Sequence, residues 1–269
     1  MTGNIFILTL YFSYETLHKP MYFFICNLAI LDIIFINIIV PILLKGIINQ
    51  PNQLSVTGCV AQSYLYFLVG TTQFFLLDVM CIDRYLAICH PLLYPAIMHR
   101  KTCAWLIAGA WMSSFLSNLA PSILIMKLSF CYEKINHFFC DVGPLLQNAC
   151  TDTTSLRLFV FLTSWILILS LSIAIVSYAN IILAIFKIKS VDGRKRIFST
   201  CSAHSLVVTI FFGSCIFMYL KPIQNEEEDE YHKKVAILNT VVVPLINPYI
   251  YTLRNKVIRN IIKSRPKQI

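Results

Sequence analysis

The stretch MYFFICNLAILDIIFINIIVPILL, Met21 to Leu44, decides the fold. It is a continuous apolar run interrupted by a single charge, Asp32, and at helical rise it crosses a hydrocarbon core roughly 30 Å thick, which needs about 20 apolar residues. A β-barrel strand would alternate apolar and polar residues over about 10 positions. This run does not alternate, so it reads as a membrane-spanning helix whose backbone groups are satisfied internally.

Working outward, similar runs occupy Gln62 to Ile88, Cys103 to Met126, Leu156 to Phe186, Ile197 to Leu220 and Val235 to Leu253. A shorter one, Gly3 to Tyr14, precedes the polar link around Glu15, His18 and Lys19 and covers only about 18 Å of helix. The expectation is an all-α membrane protein, a seven-helix bundle with six full spans and a first-helix stub. It is read as one receptor domain over residues 1–269, with the stub at 3–14 and an amphipathic segment at 254–269. Composition agrees, since 57% of the residues are hydrophobic and 13% charged, with a mean hydropathy of +0.70. That leaves too few polar side chains to clothe a water-soluble globule of this length.

The formal charge of +9 does not point to nucleic acid, because the basic residues are scattered over short segments between apolar runs. Most of them, including Arg100, Lys101, the group from Lys187 to Arg196 and the run after Arg254, fall on one side of the membrane. Cytoplasmic segments carry such an excess, so the C-terminus is expected inside. The acidic run Glu226 to Glu230 falls on the other side. No signal peptide precedes Gly3 and no Asn-x-Ser/Thr sequon occurs, so insertion is expected to be directed by the helices themselves. The segment Arg254 to Gln268 alternates basic residues with Val257, Ile258, Ile261 and Ile262, the pattern of a helix lying on an anionic leaflet.

Four of the ten cysteines, Cys59, Cys131, Cys140 and Cys150, lie on the side expected to be outside, where disulfides persist. Spacing alone leaves all three pairings open. A zinc site built from these cysteines and His137 lacks the close cysteine pair of common structural sites.

Ionisable groups inside spans are costly unless paired, which singles out Asp32 and Asp78. Asn4 and Asn247 are available to Asp32 from other helices, and Asp78 stands one and a half turns before Arg84. At the cytoplasmic end of the third helix, Arg84 can hold its neighbour Asp83 or swing toward a partner, the logic of a switch; simple snorkelling of an interfacial arginine is the rival reading. Pro244 and Pro248 break the ladder of the last span and free carbonyls for neighbours such as Asn247 to satisfy.

Met80 to Pro95, MCIDRYLAICHPLLYP, resembles the odorant-receptor signature MAYDRYVAICHPLHYP. In the same order follow LHKPMYFF at Leu17 to Phe24 with Asp32 beyond it, HFFCD at His137 to Asp141, Ser177 and Tyr178, FSTCSAH at Phe198 to His204, and PLINPYIYTLRN at Pro244 to Asn255. The chain thus resembles the odorant receptors of the rhodopsin-like G-protein-coupled class over essentially its whole length from Gly3. The resemblance implies a non-enzymatic plasma-membrane receptor that binds a small odorant between its helices and activates a stimulatory heterotrimeric G protein, raising cyclic AMP. It implies pairing of Cys59 with Cys140 and of Cys131 with Cys150. It makes Arg84 and Tyr251 switch elements supported by Tyr178, alongside Asp83, Tyr85, Asn247 and Pro248.

By position in the family pattern, Tyr66, Phe67, Gly70, Thr71, Phe212, Cys215 and Tyr219 line the ligand cavity. Aromatic and small residues suit an apolar ligand with one polar handle, and core packing is the competing account of the same residues. No organic cofactor is implied. In the family a glutamate usually joins the Asp32 site in holding a sodium ion, but here Gln73 stands in its place. Asp78 replaces a usual alanine, and Arg196 and Ile197 replace the usual lysine and alanine before FSTC. Family members also carry a glycosylated tail and a full first helix ahead of the residues matching Gly3 and Asn4. The sequence therefore reads as a receptor with a late recorded start or a truncated gene, the alternative being a truncated relative that is retained in the cell and does not transduce. A transporter would show internal repeats with matched broken spans, and none are seen.

Overall fold

The computed structural model describes residues 1–48, 53–131, 134–136, 145–146, 148–220, 231, 234–254 and 256–264. Its elements follow the apolar runs: α1 Thr2–Ser13, α2 Pro20–Ile48, α3 Val56–Cys89, a one-turn α4 Tyr94–Ile97, α5 Arg100–Met126, α6 Thr154–Lys187 and α7 Val191–Leu220. The last span, Lys234–Thr252, contains a π-helical turn Leu238–Val242 followed by α8 Val243–Arg254, and α9 Lys256–Ser264 comes after it. Among the described residues six helices are long and apolar enough to cross a membrane, and α1 is a shorter apolar helix.

Several helices outrun their apolar cores, because helix ends are set by capping and not by the lipid boundary. α3 starts at Val56, ahead of the expected Gln62, where the Ser55 hydroxyl accepts the Gly58 N–H at 3.2 Å. α7 starts at Val191, so the basic turn before Ile197 is helical as well.

α3 is the hub of the bundle, packed against α2, α5 and α6, while α1 packs on α2 and α8, and α7 joins α6 to α8. Phe24, Leu31, Leu76, Leu77 and Met80 are almost completely buried between them. α5 and α6 turn large apolar side chains outward, with Trp105 76% and Leu169 62% exposed. An apolar girdle of this kind is matched by lipid tails and not by water.

One end of the bundle carries a small addition to the helical plan. β1 Gln53–Ser55 pairs antiparallel with β2 Lys134–Asn136, Leu54 opposite Ile135. Beside them Cys131 N–H donates to the Asn148 carbonyl at 2.9 Å and Cys150 N–H to the Ser129 carbonyl at 2.8 Å. The Cys131–Cys150 disulfide closes this fold-back. At the opposite end α9 buries Ile258 against Leu10 and Leu17, so the apolar stripe of the amphipathic segment meets α1 and the link after it.

Candidate functional site

Three groups of polar side chains lie inside the bundle. The deepest is centred on Asp32, 1% exposed. Gln73 Nε2 donates to its Oδ1 at 3.1 Å and Asn247 Nδ2 to its Oδ2 at 3.0 Å, joining α2, α3 and α8. Asn4, expected as a partner of Asp32, instead donates from Nδ2 to the Pro244 carbonyl at 3.1 Å. The reason is Pro248: it has no N–H to offer the carbonyl four residues back, and α1 supplies the missing donor. Of the two asparagines available to Asp32, Asn247 serves the carboxylate, and Asn4, not Asn247, serves the proline-freed carbonyl.

The second group lies at the Arg84 end of α3. Arg84 Nε and Nη2 donate to Asp83 Oδ2 at 3.1 and 2.7 Å, and the arginine side chain is only 12% exposed. Tyr94, on the turn after α3, donates its hydroxyl to Asp83 Oδ1 at 2.8 Å. Burial, reinforced by the Asp83 carboxylate, holds the Tyr94 phenol above its ordinary value, so it remains a donor at neutral pH. Both Asp83 oxygens are occupied and the guanidinium is clasped to its own helix. Tyr85 turns away, its hydroxyl 3.0 Å from His90 Nε2.

Between these two groups, Tyr178 Oη on α6 lies 2.6 Å from His204 Nδ1 on α7. His204 is fully buried, and its Nε2 and the Tyr251 hydroxyl lack hydrogen-bond partners among the described residues. Asp78 makes no ion pair with Arg84: among the described residues the arginine's salt bridge is to Asp83. Asp78 lies beside Ser170 of α6, close enough for the hydroxyl to interact with the carboxylate, but among the described residues neither Asp78 Oδ1 nor Ser170 Oγ makes a hydrogen bond of full geometry.

The residues expected to line a ligand cavity pack mostly against other side chains of the bundle. Tyr66 lies 5.3 Å from Phe35 and 5.1 Å from Phe67, ring centre to ring centre. A Cβ on Gly70 would approach Phe35 to 3.9 Å. Thr71 Oγ1 accepts from Asn118 Nδ2 at 3.2 Å. Phe212 lies 5.4 Å from Phe74, and Cys215 Sγ accepts from Asn239 Nδ2 at 3.3 Å. A small cavity lies nearer Asp32, lined by Leu28, Gln73, Leu77, Val207, Phe211, Asn239, Val243, Pro244 and Asn247; none of the expected residues is among them.

The Tyr219 side chain, Cys140 and His137 lie outside the described residues. Cys59 is disulfide-bonded, and its expected partner Cys140 is one of those not described. Sequence reasoning did not single out His204 or Tyr94, although both stand inside quoted motifs. His204 was open to the rule that picked Asp32, an ionisable group in the middle of a span. Tyr94 carried no such signal, because its role depends on how the chain turns after His90.

The chain matches the family model described as 7 transmembrane receptor (rhodopsin family) over residues 3–251. The chain is 42% identical to Olfactory receptor 6E1 of Mus musculus, covering 98% of this chain and 85% of the relative. It is 44% identical to the Homo sapiens Olfactory receptor 6J1, covering 98% and 76%, and 44% identical to Olfactory receptor 6C75 of the same species, covering 98% and 85%. The chain belongs to the rhodopsin family of seven-transmembrane receptors, within its olfactory branch. It is a receptor and not an enzyme.

Proposed function

We propose that this chain binds a small, largely apolar odorant between its helices and transmits binding to a stimulatory heterotrimeric G protein, raising cyclic AMP. The observation that carries the reading is the Arg84 clasp: a part-buried guanidinium held on its own helix by Asp83, which Tyr94 in turn holds. Two discrete arrangements of one arginine, folded onto Asp83 or released to a partner, make a bistable element that a ligand elsewhere in the bundle can bias.

Tyr178, His204 and Tyr251 support the switch from α6, α7 and α8. Tyr66, Phe67, Gly70, Thr71, Phe212, Cys215 and Tyr219 surround the ligand, with Thr71 and Asn118 as its polar contacts. In this reading the Arg84 end and the C-terminus face the cytoplasm of the plasma membrane, and the Cys131–Cys150 end faces outward.

The test is an odorant panel read by cyclic AMP in cells that supply the G protein, with surface labelling to normalise. Evoked cyclic AMP in the native chain, abolished by Arg84→Ala at equal surface density, supports the proposal. A variant that signals undiminished removes Arg84 from the mechanism, and a native chain that is present at the surface but silent to the whole panel counts against the ligand class. A C-terminal epitope accessible only after permeabilisation checks the orientation.

A further inference from the structure

Where α3 meets α5, hydroxyl groups spend their hydrogens on backbone carbonyls. Thr72 donates to the Leu68 carbonyl at 2.7 Å, Ser114 to the same carbonyl at 2.6 Å, and Ser122 to the Asn118 carbonyl at 2.7 Å. Thr71, beside Thr72 on α3, does not. Its oxygen accepts from Asn118 Nδ2 at 3.2 Å, and its own hydrogen meets no acceptor among the described residues. The sense of that bond is fixed by a second contact of the same amide. Nδ2 lies 2.8 Å from the Ser114 carbonyl, which can only accept, so the N–H side of Asn118 faces Ser114 and Thr71. The Ser117 oxygen, 3.5 Å from the same nitrogen, is the weakest of its three acceptors.

Thr71 is only partly buried, although it stands midway along α3, the central helix of the bundle. Its neighbour Gly70 leaves room, since a Cβ there would meet nothing nearer than the Phe35 ring. The rings of Phe35, Tyr66 and Phe67 pack together beside this stretch of α3. A hydroxyl hydrogen left unmatched in such apolar surroundings is costly. A ligand that brings an acceptor removes the cost, and one that brings none leaves it in place.

We infer that the polar handle of this receptor's ligand is a carbonyl oxygen, that of a ketone, aldehyde or ester, which accepts from the Thr71 hydroxyl, and that Asn118 is the positioning residue that presents this hydroxyl. This rests on the reading that odorants bind among these residues and narrows it to a ligand class. A carbonyl accepts and brings no hydrogen of its own into the apolar surroundings. Asn118 acts through Thr71 by holding the threonine oxygen. Without the amide the hydroxyl is free to turn back onto the carbonyl one turn earlier in its own helix, as Thr72 does onto Leu68.

The test is direct binding to the full chain purified in lipid nanodiscs, without G protein, followed by ligand-detected NMR and corrected for uptake by empty nanodiscs. The probes are aromatic, cyclic and open-chain ketones, each paired with the alkene in which a methylene replaces the carbonyl oxygen, acetophenone with α-methylstyrene among them. In pairs that bind, the ketone is expected to bind roughly three- to tenfold more tightly, the worth of one hydrogen bond. Thr71→Val and Asn118→Leu should bring the two members level, while Thr71→Ser keeps the preference. Pairs that bind the native chain equally, or a folded Thr71→Val that keeps the preference, overturn the inference and leave odorant binding standing. A native chain that binds no member of any pair overturns the odorant reading and this one with it. If the variants do not fold, the infrared stretch of an isotope-labelled ketone carbonyl bound to the native chain decides. A fall in frequency from its value in hydrocarbon is expected, and an unshifted band overturns the inference.

Discussion

Gly3 stands so close to Pro248 that a Cβ at residue 3 would lie 2.9 Å from the ring Cγ and 3.1 Å from its Cβ. The obstacle is a proline ring fixed in a helix, not the loose end of a flexible side chain. The glycine therefore brings α1 near enough for Asn4 to reach the Pro244 carbonyl. Gly3→Ala is expected to push the helices apart and destabilise the receptor by about 1–3 kcal/mol, the range for overpacking. The check is the thermal midpoint of the purified protein. An unchanged midpoint would show that α1 shifts freely and that the contact is incidental.

Asp83, itself fully buried, holds the part-buried Arg84 with one oxygen and a tyrosine hydroxyl with the other. Asp83→Asn leaves the guanidinium without its counter-charge, and breaking a buried pair on one side costs about 3–5 kcal/mol. On the proposed mechanism the arginine is freed, and basal cyclic AMP per surface receptor rises. Tyr94→Phe removes one hydrogen bond, worth about 1 kcal/mol, and gives a smaller rise of the same sign. Basal signalling equal to the native chain in both variants would rule out the clasp as a brake.

Asp78 is a carboxylate inside a membrane helix, with a buried oxygen that lacks a partner among the described residues. An unsatisfied buried polar group costs about 1–3 kcal/mol, and more when charged. Asp78→Ala is accordingly expected to stabilise the receptor, raising its thermal midpoint. A lowered midpoint would mean that Asp78 is satisfied in the working protein and contributes to holding α3 against α6.

The Cys131–Cys150 disulfide closes a loop of sequence separation 19. By chain entropy such a closure is worth about 3 kcal/mol. Replacing both cysteines by serine should lower stability by that order and leave the strand pair at Gln53–Ser55 more open to hydrogen exchange. Mass-resolved exchange of that segment in the two forms is the measurement, and equal protection would confine the disulfide's effect to its own loop.

The spans were legible because hydropathy is local. The run from Met21 to Leu44 lies inside the helix Pro20–Ile48, and no knowledge of its neighbours was needed to see it. The ends of α3 and α7 were less so, since a serine cap and a basic turn extend helices past the apolar residues that betray them. The polar interior was legible as an inventory but not as a wiring diagram. Asp32 and Asn247 were singled out, yet their bond depends on the rotation of two helices far apart in sequence. Gln73 looked like a departure from a family pattern, and only the packing of α2 on α3 shows it as a direct partner of Asp32. The π-helical turn that carries Asn239 left no mark in the sequence at all.

The hydrogen bonds that fasten the first helices of the chain to the last span link residues separated by 240 positions, Asn4 with Pro244, and by 215, Asp32 with Asn247. A chain made from its N-terminus inserts α1 and α2 long before α8 exists. Through most of synthesis the Asn4 amide lacks its final acceptor and the Asp32 carboxylate one of its donors, a costly state in hydrocarbon. Assembly thus finishes with the last span, and late contacts of this kind make folding slow and its intermediates vulnerable. The same asparagine and proline that stabilise the finished receptor make its biogenesis depend on an insertion machinery able to shelter unfinished polar groups until the final helix arrives.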